Sequence, residues 1–203
     1  MNYLAHAYLS FNEPEILVGN MISDFVKGKN KYTYPTGIQS GIALHRAIDQ
    51  FTDDHPATKN AKLFFKPTYR LYAGAFIDVA YDHFLATDTN EFPLKSDLEK
   101  FSNSVYQTLE NNFSQLPQVF QKIFPYMKKQ NWLSNYQYRW GIEKGFGGLV
   151  NRAAYLNEHN IAWSIFNNHY HELKKYYEAF FPELKQFAAL QLRNLLEKGS
   201  IYL

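Results

Sequence analysis

The sequence predicts an all-α fold, a single compact multi-helical domain over residues 1–203. Apolar residues recur at the 3.6-residue spacing of a helix along most of the chain. No stretch shows the sustained apolar–polar alternation of a half-buried strand. Prolines and glycines fall where helices would start or stop. Together these indicate about seven to nine helices, with no internal repeat and no low-complexity linker.

Pro14 is placed to open the first strong helix, whose apolar stripe is Val18, Met21, Ile22 and Phe25, and Gly28 to end it. Residues 29–36 read as a loop punctuated by Pro35. A second helix is expected from about Ile38 to Asp53 on Ile38, Ile42, Ile48 and Phe51; His55–Pro56 then interrupts it, because proline disfavours a helical residue before it. Pro67 is expected to open a third, reaching about Leu85 with Leu71, Ala75, Phe76, Val79 and Ala80 on its apolar side. A polar loop follows at 87–93. Further helices are expected at about 94–113, 116–128, 131–156 and 160–179, with Pro182 starting a last one that runs to Lys198. The weakest helical stretch is Gly145-Phe146-Gly147-Gly148, since each helical glycine costs roughly 1 kcal/mol against alanine.

Composition narrows the function. With 46% hydrophobic and 20% charged residues the chain can bury a sizeable core. Its 16 Tyr and 17 Phe read first as packing, and the Tyr hydroxyls require polar partners at the core's edge. There is no cysteine, which excludes disulfides, thiolate nucleophiles and cysteine-type zinc sites. A net charge of +2 is too small to imply a nucleic-acid partner. No apolar run approaches the roughly 18 residues of a membrane span, and Met1–His6 lacks the basic and apolar regions of a signal peptide. The expectation is a cytoplasmic protein with neither a nucleic acid nor a membrane as partner.

The acidic and imidazole residues of the first half are concentrated: His6, Asp24, His45, Asp49, Asp53, Asp54, His55, Asp78, Asp82 and His83 all precede residue 86. His45 and Asp49 are four apart and share one face of the second helix, as do Asp78 and Asp82 on the third. His83 lies about 100° further round from Asp82. Two helices can thus present carboxylate and imidazole to a common cleft, with Asp24 and His6 added from earlier segments. Such mixed ligation suits a catalytic divalent metal, Mn²⁺, Fe²⁺ or Zn²⁺, which acidifies water and polarises a phosphoryl oxygen. The alternative is that these are ordinary helix-surface pairs, with Asp53 and Asp54 capping the break before Pro56. What favours a metal is their number on helices with apolar flanks, where ionised carboxylates need a partner. Arg46 adjoins His45 as a candidate phosphate clamp; Arg70, Arg139 and Arg152 are further forks that salt bridges would equally explain. Lys27, Lys29 and Lys31 form a small basic cluster beside Asp24, either a solvated loop or a patch that steers an acidic partner.

Four blocks carry a resemblance. They are Met1-Asn2-Tyr3-Leu4-Ala5-His6; Gly19 through Gly28 (GNMISDFVKG); Gly41 through Asp53 (GIALHRAIDQFTD); and Asp78 through Leu85 (DVAYDHFL). In this order and spacing the sequence resembles the acyl carrier protein phosphodiesterases. The likeness is sharp to about residue 85 and looser beyond, where Asn151-Arg152 stands in place of the family's paired arginines. It implies an HD-type phosphohydrolase-like helical fold and a usual metal of Mn²⁺. The implied activity is hydrolysis of the phosphodiester joining 4′-phosphopantetheine to a serine of holo-acyl carrier protein, an acidic partner. The adjacent pair here reads Asp82-His83, in the reverse order of the HD dipeptide. Carried onto this chain, the resemblance implies Asp24, His45, Asp78, Asp82 and His6 as metal ligands, with Asp49, His83 and Arg46 in catalysis. A phosphohydrolase of nucleotides or small phosphoesters and a non-catalytic helical interaction module are the competing readings.

Overall fold

The computed structural model describes residues 1–153 and 160–200, and every regular element among them is a helix. The α-helices run in the order α1 (Tyr3–Tyr8), α2 (Pro14–Ile22), α3 (Thr36–Asp54), α4 (Pro56–Tyr69), α5 (Ala73–Ala86), α6 (Lys95–Asn111), α7 (Gln118–Lys129), α8 (Trp132–Asn135), α9 (Arg139–Arg152), α10 (Asn160–Asn168) and α11 (Tyr170–Ser200). Short 3-10 turns lie at Ser23–Phe25, Gly28–Thr33, Arg70–Tyr72 and Phe113–Gln115. The all-α expectation therefore holds.

The axis of the molecule is α5. From Phe76 to Ala86 every one of its residues is buried except Asp78. A helix apolar on all sides must be surrounded, and α1, α4, α9 and α11 pack around it. Each fully buried Leu, Ile or Phe here contributes roughly 1.5–3 kcal/mol. Between Phe76 and Ala86 the half-open Asp78 marks the one position of the axis that solvent reaches.

Helices α2 and α3 make the closest contact in the fold. A Cβ built on Gly19 would stand 2.1 Å from the Ile38 carbonyl oxygen, and one on Gly41 would stand 2.3 Å from that of Ile16. The two backbones touch because neither position has a side chain. Ile16, Val18, Ile22, Ile38, Ile42 and Ile48 seal the seam on either side.

Pro14 does open α2, but α2 ends at Ile22, and Asp24 sits on the following 3-10 turn rather than on the helix. Gly28 takes the left-handed φ of 59°. Pro56 starts α4 instead of leaving a gap, since proline at the first helical position loses no hydrogen bond. His55 before it is extended and caps α4, its Nδ1 accepting from the Ala57 N–H at 3.2 Å. Pro67 and Pro182, read as helix starts, lie inside α4 and α11, as Pro125 does in α7. All three face solvent, so water replaces the bond each removes from the carbonyl four residues back. The breaks fall instead at Arg70, where φ is 48°, and at His169. Leu71, assigned to an apolar stripe, is 99% exposed. The glycine-rich stretch at 145–148 is helical within α9; residues 154–156 of the helix expected there lie outside the described residues.

Gly41→Ala is expected to destabilise by at least about 2 kcal/mol, because the obstruction is backbone. A Cβ on Gly148 would meet nothing within 4 Å, so Gly148→Ala in α9 is expected to stabilise by up to about 1 kcal/mol. Urea unfolding of the two variants measures both; equal effects would refute the α2–α3 contact.

Candidate metal centre

The seam between α2 and α3 determines the site. His45 and Asp49 occupy successive turns of α3, Asp24 follows α2, and His6 enters from α1. His45 Nε2 lies 3.1 Å from Asp49 Oδ2 and 3.2 Å from Asp24 Oδ1. His6 Nε2 lies 3.2 Å from Asp49 Oδ1. The two imidazoles stack at 3.8 Å between centroids, 14° from parallel. One donor atom each from His6, His45 and Asp49 lies within 4.8 Å of the others, and these three could hold a metal ion. Both rings are buried, whereas the Asp24 side chain is 73% exposed, so the group opens to solvent on its Asp24 side.

Asn20 fixes the chemistry of both rings. Its Nδ2 donates to the His6 carbonyl at 2.8 Å and to Ser10 Oγ at 3.1 Å, which identifies its Oδ1 as the acceptor of the His6 Nδ1–H at 2.8 Å. Its backbone carbonyl accepts the His45 Nδ1–H at 2.7 Å. With Nδ1 the donor in both, each ring turns its Nε2 toward carboxylate oxygens. For His45, burial opposes a proton, but bonds to Asp24 and Asp49 outweigh it and push the pKa up to about 9. For His6, burial and then the charge of His45 lower it to about 4, so the ring is neutral near pH 7. Its buried Nε2 has no hydrogen-bond partner. Burial would raise the Asp49 carboxyl, but the two histidines hold it far below the usual carboxylate range. Two imidazole Nε2 atoms converging on carboxylates, one of them buried and unsatisfied, fit a divalent cation that would displace the His45 proton.

The other residues singled out from the sequence are placed differently. Asp78 Oδ1 accepts from the Met1 amino group at 3.1 Å, and that nitrogen lies 3.5 Å from Asp49 Oδ1; burial raises the Asp78 pKa. Asp82 does not join the cluster: it is fully buried, and its two oxygens accept the backbone N–H groups of Asn2, Leu4 and Ala5 at 2.7–3.3 Å. It anchors the start of α1 and so positions His6. Burial pushes its pKa up to about 7. His83 points elsewhere again. Its Nδ1–H donates to the Tyr136 carbonyl at 2.7 Å and its Nε2 accepts from the Tyr170 hydroxyl at 3.0 Å, a bridge between α5, α8 and α11. Arg46 donates to the Val26 carbonyl at 3.1 Å, bracing the turn that carries Asp24. Of the remaining acids, Asp53 pairs with Lys62 and Asp54 accepts from Gln50, while His55 meets Glu183. Asn20 itself was not among the residues singled out; its only signal was an amide placed inside an apolar helix stripe.

An open groove of about 320 Å³ borders the cluster, lined by Tyr3, Asp24, Tyr72, Phe76, Asp78 and Leu149 among others. No helix among the described residues is long and apolar enough to cross a membrane.

Residues 1–184 match the family described as acyl carrier protein phosphodiesterase. A relative of that name from Enterobacter sp. (strain 638) is 30% identical over 184 residues, 91% of this chain and 95% of that protein. Those from Klebsiella pneumoniae (strain 342) and Yersinia pestis are each 30% identical over 188 residues, 93% of this chain and 97% of theirs. No solved structure matches significantly, so the likeness to HD-type phosphohydrolases rests on the sequence resemblance.

Asn20→Ala frees the His6 ring to rotate and is expected to weaken divalent-metal binding at this candidate centre about 10–100-fold, read by calorimetry; unchanged affinity would remove Asn20 from the site. His83 is held neutral, since burial lowers its pKa from 6.5 to about 4. The stability it contributes is full above pH 6.5 and drains as pH falls toward 4, at up to about 1.4 kcal/mol per unit. His83→Gln should therefore lose less stability than wild type between pH 6.5 and 4.5 in urea titrations, and parallel curves would count against it.

Proposed function

The chain belongs to the acyl carrier protein phosphodiesterase family, and from that premise we propose that it hydrolyses the phosphodiester between 4′-phosphopantetheine and a serine of holo-acyl carrier protein, releasing apo-carrier. The observation that carries the reading is the cluster of His6, His45 and Asp49, with its unsatisfied buried nitrogen, beside an open groove. A divalent metal, Mn²⁺ by the family resemblance, would be held by His6 Nε2, His45 Nε2 and the carboxylates of Asp49 and Asp24. When bound it supplies a Lewis acid that makes hydroxide accessible near neutral pH and neutralises phosphoryl charge.

The chain's own groups supply the rest. Asn20 engages both Nδ1 atoms and so turns both Nε2 atoms to the metal side. Arg46, exposed on α3, offers the remaining N–H groups of its fork to a phosphate oxygen next to the Asp24 turn. Asp78 lines the groove beside the Met1 amino group, where its carboxyl is placed to pass a proton to the departing serine oxygen. Tyr3, Tyr72, Phe76 and Leu149 give the groove an apolar wall along which a pantetheine arm can lie. His83 and Asp82 are left with structural work. The same reading makes it a cytoplasmic enzyme of carrier-protein and fatty-acid metabolism.

With Mn²⁺, the protein is expected to remove one phosphopantetheine from holo-carrier by mass spectrometry, and His45→Ala or Asp49→Ala to abolish both turnover and metal binding. Asp78→Asn should lower kcat by about 100-fold or more with metal binding intact, the loss expected for an acid catalyst. Release of phosphate from nucleotides with holo-carrier untouched would replace this reading with the small-phosphoester one.

A further inference from the structure

Beyond Asp78 the groove beside the metal cluster meets a second one, of about 560 Å³, and the two share Ala75 and Asp78. The second is walled by α4 and the corner leading into α5. Lys59, Lys62, Lys66 and Arg70 line it, against the carboxylates of Asp53 and Asp78. Lys62 is matched by Asp53 at 2.6 Å, and Lys59 lies 3.9 Å from Asp54. Among the described residues no carboxylate pairs with Lys66 or Arg70, and both are exposed. Between these cations stand Leu63, 58% exposed, and Leu71. Arg70 holds φ 48° and ψ −115°, a region costly for a residue with a side chain. Its strained backbone turns Leu71 outward while Tyr69 and Ala73 on either side are buried. The strain costs stability, and Leu71 is left in water.

We propose that this corner, from Lys66 through Arg70 and Leu71 to Asp78, is the docking surface for the carrier protein. The proposal rests on the reading above and deepens it. The scissile bond sits on a serine of a folded protein, so the carrier's body must remain outside while its prosthetic arm reaches the metal groove. A body seated on the second groove brings that serine to the shared edge at Asp78. The carrier is acidic; Lys66 and Arg70 meet its carboxylates at the rim, and Leu71 and Leu63 supply the apolar centre that most of the contact energy requires. The basic cluster expected from the sequence, with Lys27 capping the Gly28–Thr33 turn and Lys29 and Lys31 on it, lines neither groove.

The test compares Leu71→Asp and the double variant K66E/R70E, at exposed positions away from the metal cluster, with K27E/K29E/K31E near the Asp24 turn. Circular dichroism and Mn²⁺ calorimetry verify that fold and metal site are intact. The first two are expected to raise KM for holo-carrier about tenfold or more, with kcat little changed, and K66E/R70E to flatten its salt dependence; the third should leave KM alone. Wild-type KM in the first two, or a rise only in the third, overturns the surface while leaving the function standing. A wild type without turnover of holo-carrier overturns the function instead. Binding of apo-carrier, followed by calorimetry, then decides the surface: loss in the first two variants sustains it, and binding equal to wild type, or absent from wild type, ends it.

Discussion

The contact on which the site depends is the one between Gly19 and Gly41. Backbone touches backbone there, so the separation of α2 and α3 is set by main-chain atoms rather than by side chains that could repack. Asn20 follows Gly19 immediately, and His45 lies one turn beyond Gly41. Holding the glycines together therefore holds the Asn20 carbonyl against His45 Nδ1 and brings the Asp24 turn to the ring's other nitrogen, Nε2. Were the helices to separate by the width of a methyl group, these hydrogen-bond distances would not survive.

A second constraint comes from α5. Because nearly all of its surface is buried, each of its polar residues must find a partner or a reason to be wet. Asp82 takes the exposed amides at the start of α1, where a carboxylate also suits the helix dipole. His83 ties α8 and α11 to the axis. Asp78 alone opens to a groove. One helix thus supports the centre twice, through Asp82 by fixing where His6 emerges, and through Asp78 by lining the space beside it.

Much of this was legible in the sequence, for physical reasons that differ by element. The 3.6-residue rhythm gave the all-α class, and the four-residue spacing of His45 and Asp49 put both on one helical face, where they meet. The same spacing misleads for Asp78 and Asp82, because a shared face says nothing about what covers each end of it; the start of α1 covers Asp82. The adjacency of Asp82 and His83 suggests one function, yet 100° of helical rotation sends them to different neighbours. Prolines mislead at Pro67 and Pro182, since a sequence does not reveal that a missing hydrogen bond faces water. Arg70 carries no sequence signal of its strained backbone, because glycine or asparagine is the residue one expects there. Asn20 was invisible for a related reason: a mid-helix amide looks unfavourable until the rings that need it are in place.

The two imidazoles are governed by different parts of that one asparagine. His6 is aligned by the side-chain amide, which mutation can erase, whereas His45 is aligned by a peptide oxygen that every amino acid possesses. A substitution at position 20 can therefore remove the partner of the His6 ring while leaving the peptide oxygen that aligns His45. The centre carries a built-in hierarchy of genetic vulnerability, in which the His45 half outlasts the His6 half through sequence drift at position 20.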